Sequence, residues 1–295
     1  MNFDIKTYSV DGRKSIQDLY DSFSGLAKGE WIKEEIVVSR RESGGEIFEL
    51  PVYSFRTKKK GNALWIIAGI HGEEPAGPNA ISKGLEYIKN LGGEMQVILL
   101  PLCNPLGYAS NFRYPRLEKW VEGKDDSVGD SEHLLFSDDL KNPRRKEPKN
   151  LECDALTKHV LKLAEDYKPI LTIDLHEDNL LHDGGYIYVN CLRRYESETG
   201  NKIIDLLSRK VPIKYDGLTR FNEEIIRGII ANEKDGSIDE LLNSEKIIVN
   251  GEIAKGPGSK SSIVVETPAT MSLEKRVEAH LEILKNLKEL VKIEQ

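Results

Sequence analysis

The sequence predicts an α/β fold, a sheet covered by helices on both faces, and two observations carry that reading. From Ala63 onward, short apolar runs alternate with stretches of helical spacing: "ALWIIAGI", then "AGPNAISKGLEYIKNL", "MQVILLPL" (95–102), a helical stretch near 151–167, and "PILTIDL" (169–175). The runs are also continuous and rich in β-branched residues, as strands buried on both faces require. With 295 residues the chain is long enough to bury a substantial core. We expect a single domain over 1–295, with a helix-and-hairpin extension over about 1–60 and a long loop region over about 114–151.

Taken in order, "SIQDLYDSFSGLA" (15–27) has helical spacing. "EEIVVSRR" and "EIFELPVYSFR" read as strands joined at "ESGG", a hairpin. The run Trp65 to Ile70 reads as a buried strand. Gly72 then permits a tight backbone and Pro75 suits the first turn of a helix reaching about Leu91, despite Pro78. Between Tyr114 and Leu151 the chain is polar and poorly periodic; a loop this long in a compact domain points to a functional segment near the site. After Tyr195 come expected helices at "ETGNKIIDLLSRK", "NEEIIRGIIA" and "SIDELLN", a strand at "SSIVVE", and an amphipathic helix from about Ser272.

Charge narrows the function. Lys and Arg number 42 against 49 Asp and Glu, a net of −7 with both signs interspersed. There is no basic stripe for nucleic acid and no polybasic arm for a membrane. No run approaches about 18 apolar residues, and the first thirty residues lack a signal-peptide pattern, so a cytoplasmic protein is expected. Cys103, Cys153 and Cys191 are odd in number and widely spaced, as reduced, inert thiols would be. The absence of a Gly-x-Ser-x-Gly elbow argues against a serine hydrolase.

The chemistry-bearing residues sit at strand ends, where open α/β sheets gather function. His71 and Glu74 lie on a strand-to-helix turn, three residues apart. A catalytic zinc typically uses three protein ligands and leaves one position for water. The third candidate is His176, at the end of "PILTIDL". Asp174 shares a strand side with His176, in position to hold the second ring nitrogen. Glu266 ends "SSIVVE" just before Pro268, where a carboxylate can take a proton from water and return it to a leaving amine. Glu73, Glu177 and Asp178 read as solvated carboxylates, and "DSEHLL" with His133 as a polar loop.

"HGEE" after one strand, "NPLG" after the next with Arg113 following, a later "DLH" and a last strand ending in "VVETP" together resemble the zinc carboxypeptidase family. The resemblance lies near its succinylglutamate desuccinylase and aspartoacylase branch and spans roughly residues 60–270. It implies a mixed, mainly parallel twisted sheet flanked by helices. It also implies one Zn2+ per chain, held by His71, Glu74 and His176. Glu266 would then be the general base and acid, and Arg113 would polarise the scissile carbonyl. The expected activity is hydrolysis of a C-terminal peptide bond or an N-acyl amino acid. Relatives grip the substrate carboxylate with an Asn-Arg pair; here Asn142, Arg144 and Arg145 in "KNPRRKEP" are the candidates. Shortly before Glu266 there is no counterpart of the tyrosine found in digestive carboxypeptidases. The competing expectations are a regulatory protein that binds metal and peptide without turnover, and a two-metal hydrolase using Glu73, Asp178 or Asp183. Oligomeric state is not legible in the sequence.

Overall fold

The structure is a computed structural model that describes residues 5–43, 46–115, 127–137, 142–178, 184–219 and 221–295. The strands in chain order are β1 (Trp31–Ser43), β2 (Glu46–Thr57), β3 (Ala63–Ala68), β4 (Gln96–Leu100), β5 (Pro169–Asp178) and β6 (Tyr186–Cys191). They continue with β7 (Gly217–Leu218), β8 (Glu224–Ile225), β9 (Ile229–Ala231), β10 (Lys246–Val249), β11 (Glu252–Lys255) and β12 (Ser261–Pro268). The helices are α1 (Ile16–Ser24), α2 (Ala76–Lys83), α3 (Leu85–Gly92), α4 (Pro105–Ser110), α5 (Leu151–Asp166), α6 (Glu198–Ser208), α7 (Ile238–Asn243), α8 (Leu273–Lys285) and α9 (Leu287–Glu294).

The architecture is α/β, with an 8-stranded mixed sheet in the order β1-β2-β4-β3-β5-β12-β6-β9. Its centre, β4-β3-β5-β12, is parallel. β1, β2 and β6 add antiparallel pairings, and β9 runs parallel to β6. The hairpin is therefore part of the main sheet, since β2 pairs with β4.

β3 shows why the central runs are apolar throughout. Leu64, Ile66 and Ala68 pack into a cluster with Ala80 and Ile81 of α2 and Val277 and Leu284 of α8. Ala63, Trp65 and Ile67 point the other way, against Leu156, Val160 and Leu163 of α5. A strand with two buried faces has no solvent side for polar residues, and each large apolar side chain so enclosed stabilises the fold by roughly 1.5–3 kcal/mol.

Two elements differ from expectation. The helix foreseen from the turn to Leu91 breaks at Gly84 into α2 and α3. There α8 comes so close that a Cβ on Gly84 would sit 2.7 Å from Leu281 Cδ1. "NEEIIRGIIA" is not helical: it forms β8 and β9 around Arg227 at φ 53° and Gly228 at φ 80°, a pair of left-handed residues no α-helix accommodates. Tertiary burial of Ile229 and Ile230 favours strand over the local spacing. Among the described residues no helix is long and apolar enough to cross a membrane.

Candidate active site

Three neighbouring parallel strands bring the sequence candidates to one rim. β3 ends beside Leu175 of β5, and Glu266 of β12 lies in register with His176 of β5. The turn after β3 is held by backbone packing: a Cβ on Gly72 would fall 2.0 Å from Gly107 C and 2.2 Å from Phe112 O, so only glycine fits. "NPLG" explains the other side of that contact. Asn104 caps α4, its Oδ1 accepting from Gly107 N–H (2.9 Å) while its Nδ2 donates to Arg113 O (2.8 Å). Asn104 thereby ties Arg113 to the turn. Arg13 adds a brace, its guanidinium donating to Gly72 O (3.1 Å) and Tyr108 O (2.7 Å).

On this frame His71 Nδ1 lies 2.8 Å from Glu74 Oε1, and His176 Nδ1 lies 2.9 Å from Glu74 Oε2. The candidate ligand atoms of His71, Glu74 and His176 all fall within 4.8 Å of one another. Asp174 Oδ1 stands 3.2 Å from His176 Nε2, on the opposite side of the ring from Nδ1, which faces Glu74. Electrostatics follow from this crowding. Burial and the Arg113 charge push His71 down to about 4, with Glu74 opposing. Burial works against a charged His176, but Asp174 and Glu74 outweigh it and hold the ring well above its ordinary value. Burial would raise Glu74, yet its two imidazole neighbours keep it far below the usual carboxylate range.

Glu266 faces the same space. Its Oε2 is enclosed and has no hydrogen-bond partner among the described residues. Burial lifts its carboxyl to about 8, reinforced by Glu74 and Asp178 and opposed by His176 and Arg113. Arg113 NH1 is 3.4 Å from Glu74 Oε1 and 3.6 Å from Glu73 Oε1. All these groups line one cavity of about 620 Å³.

No protein-family model matches the chain, and no curated protein matches it. Solved structures do. A candidate metallopeptidase from Shewanella amazonensis shares 21% identity over 97% of this chain and 98% of its own, with a TM-score of 0.72. The fold is that of the zinc carboxypeptidases. A metallo-carboxypeptidase from Burkholderia cenocepacia matches with a TM-score of 0.57 at 11% identity, covering 95% of this chain and 70% of its own. Carboxypeptidase A from Helicoverpa armigera gives 0.57 at 12%, covering 96% and 74%. At such identities the zinc carboxypeptidase fold is what the likeness shows, and the chemistry rests on this chain's own side chains.

On that fold His71, Glu74, His176, Asp174, Glu266 and Arg113 come together. Asn142, Arg144 and Arg145 do not join them among the residues lining the cavity. Arg144 is spent on a paired contact with Glu240 (2.5 and 3.2 Å), and Arg145 reaches Glu132 Oε2 at 3.3 Å. Asn142 is exposed. Of the long loop region, 116–126 and 138–141 lie outside the described residues, while Ser127, Gly129 and Asp130 line the cavity. Among the described residues His71, Glu74 and His176 form the one cluster of three or more side chains placed to hold a metal; Asp183, a candidate for a second site, lies outside them.

Of the three carboxylates taken from the sequence as solvated, one is buried and two are half-buried. Glu177 is 2% exposed, and Glu73 and Asp178 line the cavity, Glu73 pushed to about 7 by burial and the neighbouring Glu74. The sequence reading also missed Tyr186 and Tyr188. Both line the cavity, Tyr186 donating to Asp178 Oδ2 (3.0 Å) and Tyr188 to Glu223 Oε2 (3.1 Å). The signal was present in "GGYIYVNC": Tyr186, Tyr188 and Asn190 alternate onto one face of β6, and all three line the cavity.

Proposed function

We propose that the protein is a zinc-dependent amide hydrolase that cleaves a C-terminal peptide bond or an N-acyl amino acid. The observation that carries this reading is the convergence of His71 Nδ1 and His176 Nδ1 on one Glu74 carboxylate, with Glu266 in register beside His176. The residues fit a metal. Two imidazole nitrogens and a carboxylate oxygen suit zinc, and Asp174 leaves His176 Nδ1 as the donor atom. His71, Glu74 and His176 would hold the ion. Bound there, zinc supplies Lewis acidity and brings the pKa of water to about 7.

The rest of the chemistry belongs to the chain. Glu266 accepts a proton from the attacking water and returns it to the departing amine, which requires a carboxylate that titrates near neutrality in an enclosed place. Positive charge in the triad draws Glu266 toward its ionised form. Arg113, tied to the turn through Asn104, offers its guanidinium to the oxygen that gains charge as the carbonyl is attacked. Tyr186, paired with Glu266 across β12 and β6, and Tyr188 form the wall next to Glu266.

The described lining also carries Glu223, Glu233, Asp235 and Asp239. This wall favours substrates with a cationic group near the scissile bond. Paired substrates ending in Lys or Glu test the preference: the Lys form is expected to have at least about tenfold higher kcat/KM, and equal rates would remove the wall from specificity.

The deciding experiment is elemental analysis of protein purified without added metal, together with His71→Ala and His176→Ala. About one zinc per chain, lost in both variants, is the expected result. Absence of stoichiometric metal even after zinc is offered would overturn the hydrolase reading.

A further inference from the structure

We infer that Glu177 and Arg276 form a buried clamp that positions the metal-binding turn, with Glu177 as a positioning residue for Glu74. The inference rests on the reading of His71, Glu74 and His176 as metal ligands.

The first turn of α2 needs an acceptor it does not supply. Its N-cap is Pro75, and no side chain of the turn bonds the helix amides. Free amides at a helix start demand a partner. Glu177, at the end of β5, provides it: Oε1 accepts from Ala76 N–H at 2.6 Å. The same residue donates its own backbone N–H to Glu74 Oε2 at 3.2 Å. One residue therefore holds the turn twice, by its side chain to the helix start and by its backbone to the ligand carboxylate.

The second half of the clamp explains how a carboxylate survives there. Glu177 Oε2 pairs with Arg276 NH1 from α8, and Arg276 is 6% exposed. Arg276 Nε in turn donates to Met271 O at 3.0 Å, fixing the guanidinium. A buried carboxylate is tolerated when paired and hydrogen-bonded, as here. The chain of contacts runs from α8 through Glu177 to the turn carrying His71 and Glu74. It sets their place opposite His176, one residue before Glu177 on β5.

The test is the zinc dissociation constant, measured by competition with a chromophoric chelator, alongside unfolding of the metal-free protein. Glu177→Leu combined with Arg276→Met removes the clamp without leaving an unpaired buried charge. We expect zinc to bind about 10- to 100-fold more weakly, the usual cost of losing a group that orients a ligand. Glu177→Gln combined with Arg276→Met keeps an acceptor for Ala76 N–H without stranding a buried guanidinium and should stay within about threefold of wild type. A merely structural role would lower the unfolding midpoint and leave the dissociation constant of the folded protein unchanged. If the first double variant fails to fold, Glu177→Asp keeps the charge for Arg276 but shortens the reach to Ala76; zinc binding at least tenfold weaker supports the clamp. A folded variant that binds zinc as tightly as wild type overturns the clamp and leaves the hydrolase reading intact. Wild-type protein that binds no zinc overturns the hydrolase reading, and the positioning role falls with it.

Discussion

Glu266→Gln removes one proton-accepting oxygen and almost no volume, which makes it the sharpest probe of the proposed chemistry. Oε2 has no hydrogen-bond partner among the described residues, so the change breaks no existing bond at that atom. Burial raises the carboxyl to about 8, and at neutral pH the metal-free protein holds it largely protonated, which a neutral amide imitates. Metal-free stability at pH 7 should therefore change by about 1 kcal/mol or less. The pH dependence has a definite sign. The folded carboxyl binds its proton more tightly than the unfolded one, so its contribution weakens wild-type stability as pH rises from 4.5 toward about 8. The variant lacks that loss and should gain on wild type toward alkaline pH. Turnover behaves differently. General base catalysis contributes about 10²- to 10⁴-fold, equivalent to about 3–5 kcal/mol of barrier. We expect kcat to fall by that factor with metal content unchanged. The assay is product release from C-terminal peptides and N-acyl amino acids, followed by mass spectrometry, with zinc quantified in the same sample. Turnover within about threefold of wild type in zinc-loaded Glu266→Gln would refute the base assignment. A variant that keeps peptide affinity and biological output would instead favour the regulatory alternative.

Other perturbations address the frame. Gly72→Ala drives a Cβ into the Gly107 and Phe112 backbones on both sides of the turn. It should cost about 1–3 kcal/mol in denaturant unfolding and reduce zinc binding, and a wild-type unfolding curve would contradict the contact. His159 is buried, its Nε2 is 2.8 Å from Ser54 Oγ, and burial pushes its pKa down to about 4. Its folded pKa lies below the unfolded value, so the protein loses stability as pH falls from 6.5 toward about 4, by up to about 3 kcal/mol. His159→Gln should flatten that part of the acid slope in thermal melts, and an unchanged slope would reassign it. Arg144→Ala and Arg145→Ala should leave kcat/KM within about twofold, with Arg144→Ala costing about 1 kcal/mol for its lost pair with Glu240. A tenfold or greater KM rise confined to carboxylate-bearing substrates would return these arginines to the substrate path.

The legible parts of the sequence were those governed by burial. Continuous apolar runs such as Trp65 to Ile67 disclose central strands because both faces are covered, and the strand ends then follow. His71, Glu74, His176 and Glu266 were visible because each sits within six residues of such an end. What stayed hidden was set by tertiary neighbours. The Ile-rich 222–231 segment has helical spacing, and only packing against β6 makes Ile229 to Ala231 a strand. Glu177 reads as a surface carboxylate until α8 delivers Arg276 to it. Arg144 and Arg145 resemble a carboxylate grip until Glu240 and Glu132 are seen to occupy them.

The charge pattern of the rim gives an independent reason why this centre calls for a cation. Glu74 is held ionised between two imidazoles, Asp174 stands behind one of them, and Glu73 and Glu266 face the same cavity. Arg113 is the one arginine or lysine among the described lining residues. Without further positive charge the cluster limits its own repulsion by holding protons, which is what the raised values of Glu73 and Glu266 and the charged ring of His176 express. A fold built only for stability would fill such a place with apolar side chains at less cost. The sheet instead aligns three strand ends so that their polar groups converge, and stabilises them from outside with Arg13, Asn104 and the Glu177–Arg276 pair. A divalent ion exchanged for those protons would satisfy the same groups at once, and its uptake would release protons.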